Sequence, residues 1–446
     1  MPANVRAFLK FRVLFNARFY YPVLAVFFVD LGLTLDQYAI LNVAWAASIV
    51  LCELPLGALA DRIGRRPLIV GAAALMVVEM GVMAFAPTGN PTLLFGLFLV
   101  NRLLSGLAEA AASGADEALA YDTLANEGRA SEWPNVLAML QRRLALAFFL
   151  SMIVGAAVYD PDFVNGLFGT SFDQLTTARF PVYLTLVLAL GALKAALEMT
   201  EPRVERRDVP AATWTGIRTA GRFVRTTRVV LAVILFTLLL DSFVRLFLTL
   251  LSSYFRLIEI PAAYFGLIGA GYAALRLGSP PIAQGLIRRC SALEGFGLIS
   301  MLVMIGLFGA AWAGGWWGAV LAIPMVLGFA LLDFLASHYL NAATPSEVRA
   351  TVLSFKSLAG NLAYGAAGVL YAVGFRAAAG GLEPAPGSPE ENAAFAQTLV
   401  WIPACLAAAL LPLLFWGKTI PKLCLYPRRQ PADSSETKNS ESTSGS

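Results

Sequence analysis

Long apolar windows recur along the chain, near residues 14–32, 37–60, 68–86, 92–113, 141–159 and 179–200, and again near 229–250, 262–286, 294–313, 317–340, 347–376 and 396–416. Each approaches the roughly 20 residues that cross the hydrocarbon of a bilayer as a helix. Short polar connections separate them, and one longer polar stretch, 201–228, divides six from six. The pattern predicts an all-α integral membrane protein of twelve transmembrane helices in two six-helix bundles, 1–200 and 229–418. Within the 201–228 linker, Ile217, Ala220, Gly221 and Val224 share one side of a helical projection, while Arg218, Arg222 and Arg225 share the other. That predicts an amphipathic helix lying on the inner membrane surface. The segment 419–446 is rich in Ser, Thr, Glu and Pro from Pro427 onward, and reads as a disordered tail.

Composition agrees with the pattern: 58% of the 446 residues are hydrophobic and 14% charged, where soluble domains carry about a quarter charged residues. Basic residues cluster on alternate connections, at Arg62, Arg65 and Arg66, at Arg129, Arg142 and Arg143, at Arg288 and Arg289, and at Arg349 and Lys356. The intervening turns at 33–36, 87–91 and 314–316 have no Lys or Arg, and 160–178 shows Asp160, Asp162 and Asp173 instead. Arg256 and Arg376 are single exceptions on the outer side. The positive-inside rule then puts both termini and the linker in the cytoplasm, and the chain in the cytoplasmic (inner) membrane as a multi-pass protein. Arg6, Lys10, Arg12 and Arg18 flank the first span, with no small-residue cleavage site to mark a removable signal. Trp316 and Trp317 sit at an outer turn, where interfacial aromatic anchors are expected.

One histidine, His338, and four scattered cysteines, Cys52, Cys290, Cys405 and Cys424, give no metal or disulfide framework. The cysteines read as small apolar packing residues, and His338 as a capping or packing residue near the cytoplasmic face. Gly417-Lys418 is not a phosphate-binding loop, so ATP is not an expected energy source and no cofactor is expected. The expected partners are a small organic solute and the lipid bilayer, with no nucleic acid, for a monomeric chain driven by a proton gradient.

A dense charged patch, Gly57-Ala58-Leu59-Ala60-Asp61-Arg62-Ile63-Gly64-Arg65-Arg66, is wedged between the second and third windows. The pattern Gly-x-x-x-Asp-Arg-x-Gly-Arg-Arg resembles the loop 2–3 signature of the major facilitator superfamily of secondary transporters. That resemblance implies two bundles rocking about a midplane site. It also implies a cytoplasmic latch, with Gly57, Asp61, Arg62, Gly64 and Arg65 meeting Thr344, Glu347 and Arg349 at the start of the eleventh span. Thr344-Pro345-Ser346-Glu347 itself reads as a capping box with proline at the first helical position. In the second half Gln284 to Arg289 is a degraded copy of the motif, without the aspartate.

Charges inside spans must face protein or water. Glu53 either gates or binds protons, or hydrogen-bonds a neighbouring helix. Arg102 and Glu109 are seven apart on one face of the fourth span, and Asp116, seven further, extends the stripe. Arg102 followed by Gly106 resembles the family's span-four arginine motif of proton-coupled members, the alternative being a permanent ion pair. Ser113 to Leu124 resembles a subgroup of bacterial facilitators of drug/metabolite-efflux type, and implies an intracellular gate at Asp116, Tyr121 and Asp122. In the second half Asp241 and Arg245 can pair at i, i+4, Arg276 lies mid-span, and Asp333 lies in the inner half of the tenth span. Because spans one, four, seven and ten line the cavity in this family, Asp30, Arg102, Glu109, Asp241, Arg245 and Asp333 become the cavity candidates. The fifth span lacks the Gly-Pro-rich motif of drug/proton antiporters and offers Gly155 alone. The expectation is a transporter, not an enzyme, that exports a small organic solute in exchange for protons. The alternatives are proton-coupled uptake of a metabolite, or a non-transporting sensor or assembly protein on the same fold.

Overall fold

Hydrocarbon offers backbone polar groups no partner but the backbone itself, so apolar windows become helices. The computed structural model describes residues 1–201, 214–312, 314–381 and 383–424, and those residues form helices with no strand among them. Eleven helical segments are long and apolar enough to span a membrane, and the shorter apolar segment Ala262–Leu277 supplies the twelfth position. In chain order the spans run Ala3–Asp30, Leu35–Ile63, Arg65–Phe85, Pro91–Ala112, Trp133–Tyr159 and Gln174–Leu197, then Arg228–Thr249, Ala262–Leu277, Ala292–Trp312, Trp316–Ala343, Ser346–Ala378 and Pro389–Lys418. Val187, Leu190, Phe308, Leu370 and Val373 are exposed on the outer surface, the reverse of a soluble core and the arrangement a lipid solvent requires. Trp316 and Trp317 are exposed at the outer turn.

Several spans depart from continuous helices, the tenth dividing at Ala322, and three of them shape the site. The first begins at Ala3 rather than near residue 14, and breaks between helices Ala3–Asn16 and Leu24–Asp30. At the break the Phe19 carbonyl oxygen lies 1.7 Å from where a Cβ would stand on Gly155 of the fifth span. Only glycine permits that approach, so the residue that looked like the remnant of a missing motif is a packing requirement. The fourth span ends at Ala112, turns through Gly114 at φ 74° and restarts as Ala115–Asn126. The eighth divides at Gly278, with helix Ser279–Arg289 beginning on Pro280 and Pro281.

The predicted amphipathic segment is a helix, Trp214–Thr226, with Val224 buried, Gly221 against the Phe355 ring of the eleventh span, and Arg218, Arg222 and Arg225 exposed. The charged part of the linker, 202–213, and the tail from 425 lie outside the described residues. At the head of the predicted tail, Pro421–Cys424 forms a helical turn with Leu423 buried. Cys405 and Cys424 are exposed rather than packed, because both lie on outward-facing positions at the twelfth span and its end.

The two bundles meet through two pairs of spans, the second against the eleventh and the fifth against the eighth. Near the outer side these pairs touch at backbone distance. A Cβ on Gly266 would lie 1.8 Å from the Met152 carbonyl oxygen, and one on Gly368 would lie 2.8 Å from a Val43 methyl.

Candidate functional site

Between the bundles lies a cavity of about 410 Å³. Its walls come from the broken first span, from the second and fourth, and from the fifth, seventh, eighth, tenth and eleventh. Four arginines line it: Arg18, Arg102, Arg245 and Arg276. Arg18 is buried at 4% exposure, donates to Glu79 Oε1 at 2.9 Å and to the Tyr20 hydroxyl at 2.8 Å, and has Glu109 Oε2 at 3.9 Å. Arg245 pairs with Asp241 at 2.7 Å and donates to Asn361 at 3.1 Å. Arg276 pairs with Asp333 at 3.1 Å and stacks over Phe329.

Arg102 has no such carboxylate among the described residues. It is 5% exposed, its guanidinium lies 5.0 Å over the Phe28 ring, and its Nε and Nη2 have no hydrogen-bond partner. The predicted Arg102–Glu109 pair does not form. Seven residues along a helix rise about 10.5 Å, and Glu109 is drawn to Arg18 instead. Arg18 reads in the sequence as one more flanking charge, because its neighbours do not show that the first span begins at Ala3 and breaks where Arg18 sits, between Asn16 and Leu24. Glu79 was the available signal: a lone carboxylate in the apolar third span must find a cation.

The other candidates fall in different places. Asp30 is not in the cavity but at its outer end, where it accepts from Arg256 Nη1 at 2.5 Å and Nη2 at 3.0 Å and from the Tyr159 hydroxyl. Asp241 lies one step behind Arg245, and Asp333 lines an adjoining inner pocket with Arg288, Ser337 and His338. His338 packs edge-on against Tyr339 at 5.1 Å. Glu53 is half-buried on the second span and does not line the cavity. Asp116 does not extend the Arg102–Glu109 stripe, since the turn at Gly114 puts it on a new helix, where it is fully buried against Arg12 at 3.2 Å. Asp122 pairs with Arg65, and Tyr121 is exposed, edge-on to Trp133 at 5.7 Å.

The two ends of the cavity differ. Outside, contacts cross between the bundles: Asp30 with Arg256, and Asp36 with Arg376 at 2.7 Å. Glu391 accepts the Leu35 backbone N–H at 2.8 Å, and Asp160 accepts that of Ala263 at 2.9 Å. The two basic exceptions to the charge rule are thus the cations of this seal. Inside, a Cβ on Gly57 would meet nothing within 4 Å, and Leu59 and Ile63 are exposed.

Arg65 and Arg66 of the motif make contacts within their own bundle. Arg65 pairs with Asp122 rather than with 344–351, and the Arg65 and Arg66 backbone N–H groups donate to Glu201 at 2.9 and 2.7 Å. The side chains of Asp61 and Glu347 lie outside the described residues. The predicted capping box is not formed. The eleventh helix starts at Ser346 with Pro345 as its N-cap, Thr344 Oγ1 has no partner, and Arg349 donates back to the Thr344 carbonyl at 3.1 Å. Among the described residues no group of His, Cys, Asp and Glu side chains is placed to hold a metal ion.

The sequence matches the Major Facilitator Superfamily profile over residues 7–369. The chain belongs to the major facilitator superfamily. No curated protein matches it. Among solved structures it is similar to a bacterial homolog of the human lysosomal transporter Spinster, in an inward-facing and unoccupied conformation. That similarity has a TM-score of 0.70 at 14% identity over 95% of this chain and 98% of the other. It is similar to the nucleoside transporter NupG, with TM-score 0.67, 14% identity, and 92% and 98% covered. A D-xylose-proton symporter gives TM-score 0.62 and 16% identity, with 94% and 97% covered. At such identities the likeness is one of fold. Membership makes this facilitator a multi-pass membrane transporter rather than an enzyme.

Proposed function

We propose that this facilitator carries a small organic solute through the central cavity by alternating access, and that proton movement drives it. The observation that carries the reading is Arg18, held between two unlike carboxylates. An arginine in a protein does not give up its proton. Glu79 is sealed at 1% exposure and binds Arg18 at 2.9 Å, so it holds the cation permanently. Glu109 is 42% exposed and stands off at 3.9 Å. It can take a proton from the cavity while Arg18 keeps a counter-charge. The groups facing Glu109 are Arg18 and Tyr21 from the first span, Glu79 behind them, and Arg102 on its own helix.

The outer seal supports alternating access, because its ion pairs cross between bundles and must part before the cavity can open outward. Export in exchange for protons is the direction the sequence suggests. Uptake together with protons is favoured by Arg102, which offers the solute a group separate from the proton's. Exchange is simplest when solute and proton compete for one carboxylate, and co-transport when each has its own. Retained charges at the cavity weigh against a non-transporting scaffold, since buried ionic groups are expensive in a membrane.

Proteoliposomes with a pH-sensitive dye inside test the reading, using a mixed set of organic acids, amines and neutral solutes. Solute-dependent proton movement that Glu109→Gln abolishes is expected. Proton movement unchanged in that variant, or absent for every compound with the wild-type protein, would sink it.

A further inference from the structure

We infer that Arg102 is the anion-binding group of the cavity, and that the solute is an organic anion with one oxyanion head on a flat apolar body. The inference rests on the reading of this cavity as the transport path. Each of the other arginines lining it has its carboxylate: Arg18 has Glu79 and Glu109, Arg245 has Asp241, and Arg276 has Asp333. Arg102 alone among these four has none among the described residues, although it is buried at 5% exposure. The Phe28 ring covers one face of the guanidinium at 5.0 Å, which interacts with the charge but accepts no in-plane hydrogen bond.

The atoms left unpartnered are Nε and Nη2. These two lie on one edge of the guanidinium, the edge that a carboxylate or phosphate takes with two parallel hydrogen bonds. Buried donors without acceptors are unfavourable, and donors on a charged group more so. Both atoms are sealed from solvent as the side chain stands, so binding requires a turn of the long side chain toward the cavity Arg102 lines, where an incoming oxyanion would satisfy both donors and the charge together.

The rest of the lining limits what the anion is attached to. Most of the lining tyrosines, Tyr21 excepted, present rings, because their hydroxyls are engaged within the protein. Tyr20 accepts from Arg18 at 2.8 Å, Tyr38 donates to the Thr249 carbonyl at 3.2 Å, and Tyr364 bonds the Thr249 hydroxyl at 2.9 Å. The Ser252 hydroxyl is taken by the Ala25 and Val26 N–H groups at 3.1 and 3.3 Å. Trp45, Phe148, Phe255 and Phe329 add flat apolar surface. A polyhydroxylated solute would find few free partners here. An aromatic or otherwise planar acid would bury its body against the rings and its head at Arg102.

Four shape-matched probes test this with purified full-length protein in nanodiscs: 2-naphthoate, 2-naphthyl phosphate, 2-naphthylmethanol and 2-naphthylmethylamine, with binding read by thermal shift and tryptophan quenching. At least one of the two acids should bind about 10-fold or more tightly than the alcohol. The amine should bind no better than the alcohol. Arg102→Gln should bring the acids down to the alcohol's affinity, and Arg102→Lys should recover part of the preference. Whichever acid binds better tells a carboxylate head from a phosphate head. A tighter amine, an acid preference that survives in Arg102→Gln, or failure of both acids to bind overturns the inference. Flux separates it from proton coupling. Arg102-dependent acid binding without proton movement refutes the coupling alone, and proton-coupled movement of the amine refutes the anion site alone.

Discussion

The outer and inner ends of the interface between the bundles are built from the same spans, yet they make opposite kinds of contact. Outside, the second and eleventh spans meet where Gly368 receives Val43, and the fifth and eighth meet where Gly266 receives the Met152 carbonyl. Ion pairs of well-buried aspartates, Asp30 at 11% and Asp36 at 8% exposure, with the half-buried Arg256 and the exposed Arg376 tie the same end. Inside, Gly57 has open space around it, and Arg65 pairs within its own bundle, with Asp122. Small residues at both ends, filled at one and vacant at the other, mark a structure closed outward and open inward. If the motif acts as the latch its resemblance implies, the open space at Gly57 is where the inner ends meet in the other state.

The largest expected effect comes from wedging the filled end. Gly266→Leu puts a side chain where the Met152 backbone stands and should weaken the outward-closed state by about 3 kcal/mol or more. That is a shift of roughly 100-fold or more in population, visible as longer spin-label distances between the outer ends of the second and eleventh spans. Unchanged distances would mean that the outer contact does not hold the state. Asp30→Asn is milder, because Arg256 is 35% exposed and water screens part of the lost pair. About 1–2 kcal/mol, or roughly 5–30-fold toward outward opening, should appear in the same distances. A distance distribution matching the wild type would remove Asp30 from the seal. Gly57→Ala should be nearly silent in the melting temperature, within about 0.5 kcal/mol, since its Cβ meets nothing. It should nevertheless slow transport if the inner ends close on that glycine, and undiminished transport would break the comparison at its vacant side.

The spans were legible because length and apolarity suffice to place a helix in hydrocarbon, and the cavity face was legible at Arg102 and Glu109 of the fourth span and Arg245 of the seventh. What the chain did not disclose depends on neighbours far away in sequence. Arg18 looks like a flank until the first helix is seen to begin at Ala3 and to break beside Gly155. Asp116 looks like a continuation of the fourth span until Gly114 turns the chain. Arg256 and Arg376 look like lapses in a charge rule until their aspartates arrive from the other bundle. The Thr344–Glu347 capping pattern had the right letters, but Pro345 took the cap position and left Thr344 without a bond. A capping box does form at Thr34 and Gln37, at the start of the second span, with no acidic partner to advertise it.

The break in the first span also sets an order of assembly. The Phe19 N–H donates to the Thr185 hydroxyl of the sixth span, 166 positions later, while its carbonyl rests on Gly155 of the fifth. Hydrocarbon would leave that peptide group unsatisfied. During synthesis the first span therefore enters the membrane early but acquires its bent form late, when the sixth arrives to receive it.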